Sequence, residues 1–218
     1  MDNKACVVYI ANTGNVNEDN LIEKYGSHFS KDRLDRINKK PCEKTRKELI
    51  CAGAVLSKAL LNEGIDSNEF IYKENKKPYL KGDKEVFFNI SHSGDYVGVA
   101  VAHSEVGFDI QKPVENVGDA TKKRVLAGSE QDLLNHAAIS FNEIWTVKES
   151  YSKLTGEGIA INFTDITYKK DKTDSSFTIY RNEKESAKGK IMDLPGGYKA
   201  SVCSKVKFKD INVVLLDL

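Results

Sequence analysis

The sequence has almost no net charge and no long apolar stretch. Its 218 residues carry 33 lysines and arginines against 32 aspartates and glutamates, which leaves a net charge of +1. Because no field of one sign surrounds such a chain, its charge favours neither nucleic acid nor a membrane surface as a partner. A bilayer-spanning helix needs roughly 20 consecutive apolar residues, and no run in the sequence approaches that length. We therefore expect no nucleic-acid partner and no membrane partner.

Cysteine is also scarce. The sequence contains 4 cysteines, with no Cys-x-x-Cys pair and no other metal-binding spacing. Cys6, Cys51 and Cys203 lie among apolar residues, which is typical of reduced, buried thiols. The N-terminal residues lack the basic-then-apolar pattern of a secretion signal. Together these features predict a cytoplasmic protein.

Two common catalytic signatures are absent. No Gly-x-Ser-x-Gly elbow occurs, which argues against a serine hydrolase. No Gly-x-x-x-x-Gly-Lys-Ser/Thr loop occurs either, which argues against a nucleotide phosphotransferase that holds phosphates in this way.

The order of the predicted elements indicates the fold class. The chain is long enough for one domain or for two of about 100 residues each. Hydrophobic periodicity predicts, in order, strand Ala5–Ala11, helix Cys42–Leu61, strands Val86–Ile90, Tyr96–Ala102 and Val106–Gln111, further helices, and a meander of strands from Asp165 to Leu216. This order predicts an α+β chain in two halves, residues 1–103 and 104–218.

The stretch Phe141–Gly156 is predicted to be a helix with one functional face. An apolar stripe at helical spacing fills one side, and Gly156 stops the helix. Trp145, Glu149 and Lys153 are spaced four residues apart and therefore share another side. The spacing of Glu149 and Lys153 is also typical of an ordinary ion pair on a helix surface.

A predicted strand carries the second group of polar residues. Asp109 and Gln111 alternate with apolar neighbours, so both side chains point to the same face. An acid in a strand built for burial needs a partner or an ion, unless it faces solvent at the strand end. Glu149 would offer a second oxygen ligand, and two carboxylates with water and phosphate oxygens are the usual site for Mg²⁺.

Several donors and cations suit a phosphorylated ligand. Ser91 and His92 end a predicted strand, where both could donate to phosphate oxygens or simply stabilise a turn. A polyanionic small molecule could also be bound by a dispersed set of cations, although a solvated helix face explains most of them equally well: Lys77, Arg33, Arg36, Lys44 and Arg46.

Taken in order, these motifs resemble a known family. The set Lys77-Pro78, FNISHS at 88–93, VGFD at 106–109, and WTVKES at 145–150 with Lys153 is similar to 4′-phosphopantetheinyl transferases of the surfactin-synthetase-activating type. Each motif alone is weak, whereas four in register are specific. The motifs extend from Lys77 to Gly158.

The resemblance implies a fold and a reaction. The expected fold is a pseudo-dimer of two similar α+β halves, with coenzyme A in the cleft between them, and two halves in one chain favour a monomer. The expected reaction moves 4′-phosphopantetheine from coenzyme A to a serine of an apo acyl or peptidyl carrier protein. It requires Mg²⁺ and releases 3′,5′-ADP.

The resemblance also implies roles for individual residues. Asp109 and Glu149 are expected to bind Mg²⁺, with Glu149 or a water it holds accepting the serine proton. Lys153 is expected to contact the reacting phosphate and, with His92, to neutralise the leaving group. The remaining coenzyme A contacts are expected from Lys77, Ser91 and His92 at phosphates, Arg33 and Arg36 near the nucleotide, and Arg46 at the 3′-phosphate, with Lys47 and Lys44 as alternatives.

Gln111 departs from the pattern of the family. Many members carry an acid at this position as a third metal ligand. An amide oxygen can still ligate Mg²⁺ or hold a coordinated water, but it brings no charge. We therefore expect weaker Mg²⁺ binding, and the alternative of a catalytically impaired module that binds coenzyme A or a carrier protein stays open.

Overall fold

A computed structural model describes residues 5–39, 42–67, 69–72, 77–82, 85–136, 139–171 and 174–218. The strands are Ala5–Asn12 (β1), Phe70–Tyr72 (β2), Pro78–Leu80 (β3), Phe87–Ser93 (β4), Tyr96–Ala102 (β5), Gly107–Gln111 (β6), Ile166–Lys170 (β7), Ser176–Arg181 (β8), Lys184–Leu194 (β9), Tyr198–Ser204 (β10) and Asp210–Leu216 (β11). The helices are Glu18–Tyr25 (α1), Lys31–Asn38 (α2), Glu43–Asn62 (α3), Asp119–Val125 (α4), Gly128–Asn135 (α5) and Phe141–Thr155 (α6).

These elements form an α+β protein with two compact units. Unit 1 comprises Met1–Ser104 and Asp210–Leu218, and unit 2 comprises Glu105–Lys209. Within the described ranges, no helix is both long and apolar enough to cross a membrane.

Unit 1 is a sheet packed on the long helix α3. Its strands pair in the order β11–β1–β5–β4. The apolar side of α3, including Leu49, Val55 and Leu60, is buried in one cluster with Tyr9 of β1 and Val99 of β5. Burial of that side explains why this sequence forms a helix of 20 residues with a continuous apolar face.

The final strand differs from the expected division of the chain. The sequence places residues 104–218 in one half and predicts that the last strand continues the C-terminal meander. In the structure β11 instead lies beside β1 and runs parallel to it, with Val213 opposite Val8. Alternating apolar residues predict a strand but not its partner, because pairing across nearly the whole chain leaves no local signal.

Unit 2 is an antiparallel sheet covered by α6. The strand order is β6–β10–β9–β8–β7. The predicted apolar stripe of α6, Ile144, Val147, Tyr151 and Leu154, is buried in the core of this unit. The Ser140 side chain caps the start of the helix by accepting a hydrogen bond from the Glu143 amide, and Gly156 ends it in the left-handed conformation at φ 75°. These features confirm the helix predicted from the sequence.

Gly107 allows α6 to lie unusually close to β6. A methyl group on Gly107 would be 1.9 Å from the carbonyl oxygen of Ser150 and 2.6 Å from the amide nitrogen of Leu154. Both of those atoms belong to the α6 backbone, which cannot move aside as a flexible side chain can. Any side chain at this position would therefore push the helix away from the strand.

We expect Gly107→Ala to destabilise the protein by about 3 kcal/mol or more, above the range of roughly 1–3 kcal/mol usual for an overpacked core. Gly128→Ala is the matched control, because a methyl group there meets no atom within 4 Å. Urea unfolding of both variants measures the effect. Equal stability of Gly107→Ala and wild type would show that α6 can move away from β6 at little cost.

Candidate functional site

The carboxylate of Asp109 lies between β6 and α6. Asp109 is opposite Ser201 of β10, and the Ser201 hydroxyl donates to the backbone oxygen of Thr146 in α6 at 2.7 Å, so this face of the sheet points to the helix. Asp109 is 5% exposed. Its Oδ1 accepts a hydrogen bond from Lys153 Nζ at 2.7 Å. The strand and the helix thus bring together two residues that lie 44 positions apart in the chain.

Glu149 lies one helical turn before Lys153 and is electrostatically coupled to both residues. Burial is the main cause that raises the pKa of Glu149, the negative charge of Asp109 raises it further, and Lys153 opposes the shift. The structure therefore brings the predicted group of Asp109, Glu149 and Lys153 together within unit 2.

The donor chemistry of this group suits a divalent cation. Within the described ranges, no set of three or more His, Cys, Asp and Glu side chains is arranged for a metal. Asp109 and Glu149 are the two carboxylates of this group. Burial and, after it, the negative charge of Asp109 raise the pKa of Glu149, and a bound Mg²⁺ would relieve the repulsion between the two carboxylates. Gln111 is half-buried two residues farther along β6, on the strand face of Asp109.

A cavity of about 700 Å³ opens beside Glu149. We call it the Trp145 cavity, because Trp145 and Glu149 of α6 line it together with Val125 at the end of α4 and Phe163. The rings of Trp145 and Phe163 meet edge to face, with centroids 6.0 Å apart. Lys123 and Arg124 add positive charge to its lining.

In unit 1, Ser91 and His92 lie within a strand and not in a turn. The sequence predicts a strand that ends at Ile90, whereas β4 continues to Ser93 and pairs His92 with Val97. The reason is that Gly94, at φ +54°, reverses the chain in a tight turn and leaves the preceding residues free to pair. Ser91 is buried and His92 is exposed.

His92 lines a second cavity with two lysines of α3. This Lys44 cavity, of about 270 Å³, is lined by Lys44, Lys47 and His92, with Glu48 and Asp95 also present. Lys47 Nζ donates to the backbone oxygen of Gly14 at 2.9 Å, which holds the lysine over the loop after β1.

Arg46, the first choice for the 3′-phosphate, is engaged elsewhere. Its guanidinium contacts Glu18 at 2.5 Å and Asp19 at 3.9 Å, both in α1. Within the described part of the chain it does not line the Lys44 cavity, whereas the alternatives Lys44 and Lys47 do. The register of the helix decides this, because Arg46 points to a different side of α3.

The two arginines of α2 have other surroundings than the Lys44 cavity. Arg33 donates to the backbone oxygen of Leu49 at 2.7 Å and packs against Gly53. Burial is the main cause that lowers the pKa of Arg33 to about 10, and the charge of Arg36 adds to the shift. Arg36 is exposed, and neither arginine lines the Lys44 cavity as the structure describes it.

Lys77 directly precedes β3 and is buried. Its ammonium lies over the ring of Tyr79, 5.8 Å from the centroid. The aromatic face helps to hold the cation in an environment that it would otherwise leave for water.

Two buried ionic groups on α6 were not predicted from the sequence. Lys148 forms an ion pair with Glu130 at 2.5 Å. Glu143 accepts hydrogen bonds from the Tyr168 hydroxyl and from Lys170 Nζ, each at 3.0 Å. A signal for the first was present, because Lys148 lies within the spacing of the apolar stripe, where a charge is out of place.

Comparisons with known proteins show which family part of the chain resembles. Residues 105–203 match the sequence profile of the 4′-phosphopantetheinyl transferase superfamily. This part of the chain is thus similar to members of that superfamily. The resemblance carried by the motifs is thereby confirmed, and the matched residues include Asp109, Glu149 and Lys153.

Individual transferases are similar over more of the chain. The 4′-phosphopantetheinyl transferase gsp of Aneurinibacillus migulanus is 32% identical over 64% of this chain and 60% of its own length. The 4′-phosphopantetheinyl transferase psf-1 of Bacillus pumilus is 28% identical over 70% of this chain and 69% of its own length. The 4′-phosphopantetheinyl transferase Sfp of Bacillus subtilis is 28% identical over 62% of this chain and 62% of its own length. The chain thus spans less than two thirds of gsp and of Sfp.

We expect Glu149→Gln to raise the free energy of unfolding at neutral pH in the presence of a chelator. The wild-type carboxylate is destabilised by burial and by Asp109, and a group whose pKa is raised by folding loses stability as the pH rises through that pKa. The gain should vanish at a pH below the usual glutamate pKa, because the wild-type side chain is then neutral too.

Adding Mg²⁺ should reverse the order, since a cation held by the two carboxylates would stabilise the native wild type by mass action. Thermal unfolding with and without Mg²⁺ measures both effects. A variant that is less stable than wild type in chelator would contradict the assigned repulsion.

Proposed function

We propose that the protein transfers 4′-phosphopantetheine from coenzyme A to a serine of an apo acyl or peptidyl carrier protein. The observation that carries this proposal is the group formed by Asp109, Glu149 and Lys153 within the family-matched region. It combines a base with a raised pKa, a cation for phosphate and a donor pair for a divalent metal.

Glu149 accepts the proton of the acceptor serine. The serine oxygen forms a bond to the phosphorus that carries pantetheine, and the bond from that phosphorus to the bridging oxygen breaks. A bound cation would make this carboxylate a weaker base, so the proton passes to Glu149 directly or through a water that Glu149 holds.

Lys153 neutralises the charge that develops on the departing 3′,5′-ADP. The hydrogen bond from Lys153 to Asp109 fixes the ammonium at the site. A positioned charge costs no reorganisation when the reaction occurs, and positioning together with electrostatics dominates phosphoryl transfer.

The carboxylates Asp109 and Glu149 would hold Mg²⁺, and Gln111 would offer an amide oxygen directly or through a water. When bound, the cation polarises and neutralises the phosphate oxygens. The missing charge at Gln111 is the one observation that favours the second candidate, a module that binds coenzyme A or a carrier protein without turnover.

The Lys44 cavity of unit 1 binds the 3′-phosphate end of coenzyme A, and Lys77 and Ser91 bind its other phosphates. Support comes from the meeting of Lys44, Lys47 and His92 at one cavity. This assignment replaces Arg46, and it leaves Arg33 and Arg36 outside the nucleotide contacts. The cleft between two halves, the monomeric state and the cytoplasmic location stay predictions.

Mass spectrometry of an apo carrier protein after incubation with coenzyme A and Mg²⁺ tests the transfer. We expect the carrier to gain the mass of phosphopantetheine. Glu149→Ala should lower the rate by at least about 100-fold, as loss of a general base does. Asp109→Ala should also lower the rate strongly, because it removes one of the two carboxylates for Mg²⁺ and the partner of Lys153. Glu185→Ala, an exposed acid of the same unit, is the control and should transfer normally. Coenzyme A binding without any mass gain would favour the binding module.

Calorimetry of coenzyme A binding tests the assignment of cations. A charge-assisted hydrogen bond contributes about 1.5–3 kcal/mol, so Lys44→Ala and Lys47→Ala should each weaken binding by roughly tenfold or more. Arg46→Ala removes a neighbouring charge of the same helix and should change the affinity much less. A larger loss of affinity in Arg46→Ala than in the two lysine variants would show that Arg46 binds the 3′-phosphate.

A further inference from the structure

Lys148 is a fully buried cation next to Glu149 in the chain. It is 0% exposed, and its partner Glu130 is 2% exposed. The Lys148 ammonium donates to Glu130 Oε2 at 2.5 Å, to the backbone oxygen of Val125 at 2.7 Å and to that of Phe163 at 2.9 Å. These three bonds use all the donors that an ammonium has.

The three acceptors belong to three different segments. Val125 ends α4, Glu130 lies in α5, and Phe163 begins the turn before β7. Glu130 Oε2 also accepts from the Ala127 amide at 2.9 Å, which fixes the connection between α4 and α5. One side chain of α6 therefore holds three segments that have little regular pairing among themselves.

Two of those segments form walls of the Trp145 cavity. Val125 and Phe163 line it together with Trp145 and Glu149. Since Lys148 binds the backbone of Val125 and of Phe163, its ammonium sets the distance of both walls from α6. The cavity beside the proposed base is thus built around a charge that does not itself line it.

The free energy of the buried Lys148–Glu130 pair indicates that it does more than stabilise the fold. A buried ion pair often contributes nothing over an apolar pair of the same volume, because burying two charges offsets their attraction. The pair here is also incomplete, since Glu130 Oε1 has no hydrogen-bond partner among the described residues. An apolar pair could fill the same space but could not bind two backbone oxygens.

We propose that Lys148 and Glu130 are positioning residues that hold the walls of the Trp145 cavity against α6 and so present the acceptor side of the site to Glu149. The effect on turnover rests on the proposed transfer reaction. The effect on the cavity does not, which allows the two to be tested apart.

Trp145 reports the cavity directly, because it is the single tryptophan of the chain. The test variant is the double substitution Lys148→Met with Glu130→Leu, which removes both charges at similar volume and avoids an unpaired buried ion. The control is the double substitution Glu185→Gln with Lys188→Gln, which removes an exposed ion pair of the same unit. Unfolding curves, acrylamide quenching of Trp145 fluorescence and transfer kinetics are measured for each.

We expect the double variant to stay folded, with Trp145 quenched at least about twofold more strongly. Its kcat should fall about tenfold or more, since small misplacements of reacting groups cost up to about 100-fold, while the KM for coenzyme A stays within about twofold. A folded variant with wild-type quenching and wild-type kcat would overturn the proposal and leave the pair a purely structural one.

Glu130→Asp covers the case in which the double variant does not fold. It keeps the charge but is one methylene shorter, so it cannot reach both Lys148 and the Ala127 amide. Intermediate quenching and an intermediate kcat are expected, and wild-type values of both would contradict the proposal. If the wild type itself transfers nothing, the proposed function fails, while the quenching still decides whether the pair shapes the cavity.

Discussion

The site of unit 2 depends on the close approach of one helix to one strand. Without a side chain at Gly107, the α6 backbone rests against β6 at Ser150 and Leu154. That contact sets the separation across which Lys153 reaches Asp109 at 2.7 Å. A methylene of extra spacing would place this bond outside hydrogen-bond range. The glycine thus acts on the chemistry from a position that bears no functional group.

Neighbouring residues of α6 meet opposite electrostatic conditions. Lys148 is paired with Glu130, and burial lowers the pKa of the lysine and raises that of the glutamate while their attraction opposes both shifts. Glu149, one residue later, faces Asp109 and is destabilised as an anion. Lys148, whose three donors are all used, stabilises the structure. Glu149, whose charged form is disfavoured, has the perturbed pKa that is typical of a functional group. A helix allows this because consecutive side chains point in directions about 100° apart.

Periodicity accounts for what could be predicted from the sequence. The apolar stripe of α6 and the shared face of Asp109 and Gln111 follow from local spacing, and the α+β class follows from the order of elements. Three features depend on contacts between distant segments or on how a helix is rotated against its sheet. They are the partner of β11, the ion pair of Lys148, and the lining of the Lys44 cavity by Lys44 and Lys47. The spacing of residues along the chain reveals neither long-range contacts nor the rotation of a helix. The extension of β4 through His92 was missed for a smaller reason, since one glycine shortened the turn.

The pairing of β11 with β1 has a consequence for biosynthesis. Unit 2 is an insertion between the first and last segments of unit 1, so the ribosome completes unit 2 before it makes the strand that finishes the other sheet. Until Asp210–Leu216 emerges, one edge of β1 presents unpaired backbone groups. Unit 2, whose residues are contiguous, can fold before β11 pairs with that edge. The position of β11 in the sheet of unit 1 therefore allows unit 2 to fold before unit 1 is complete.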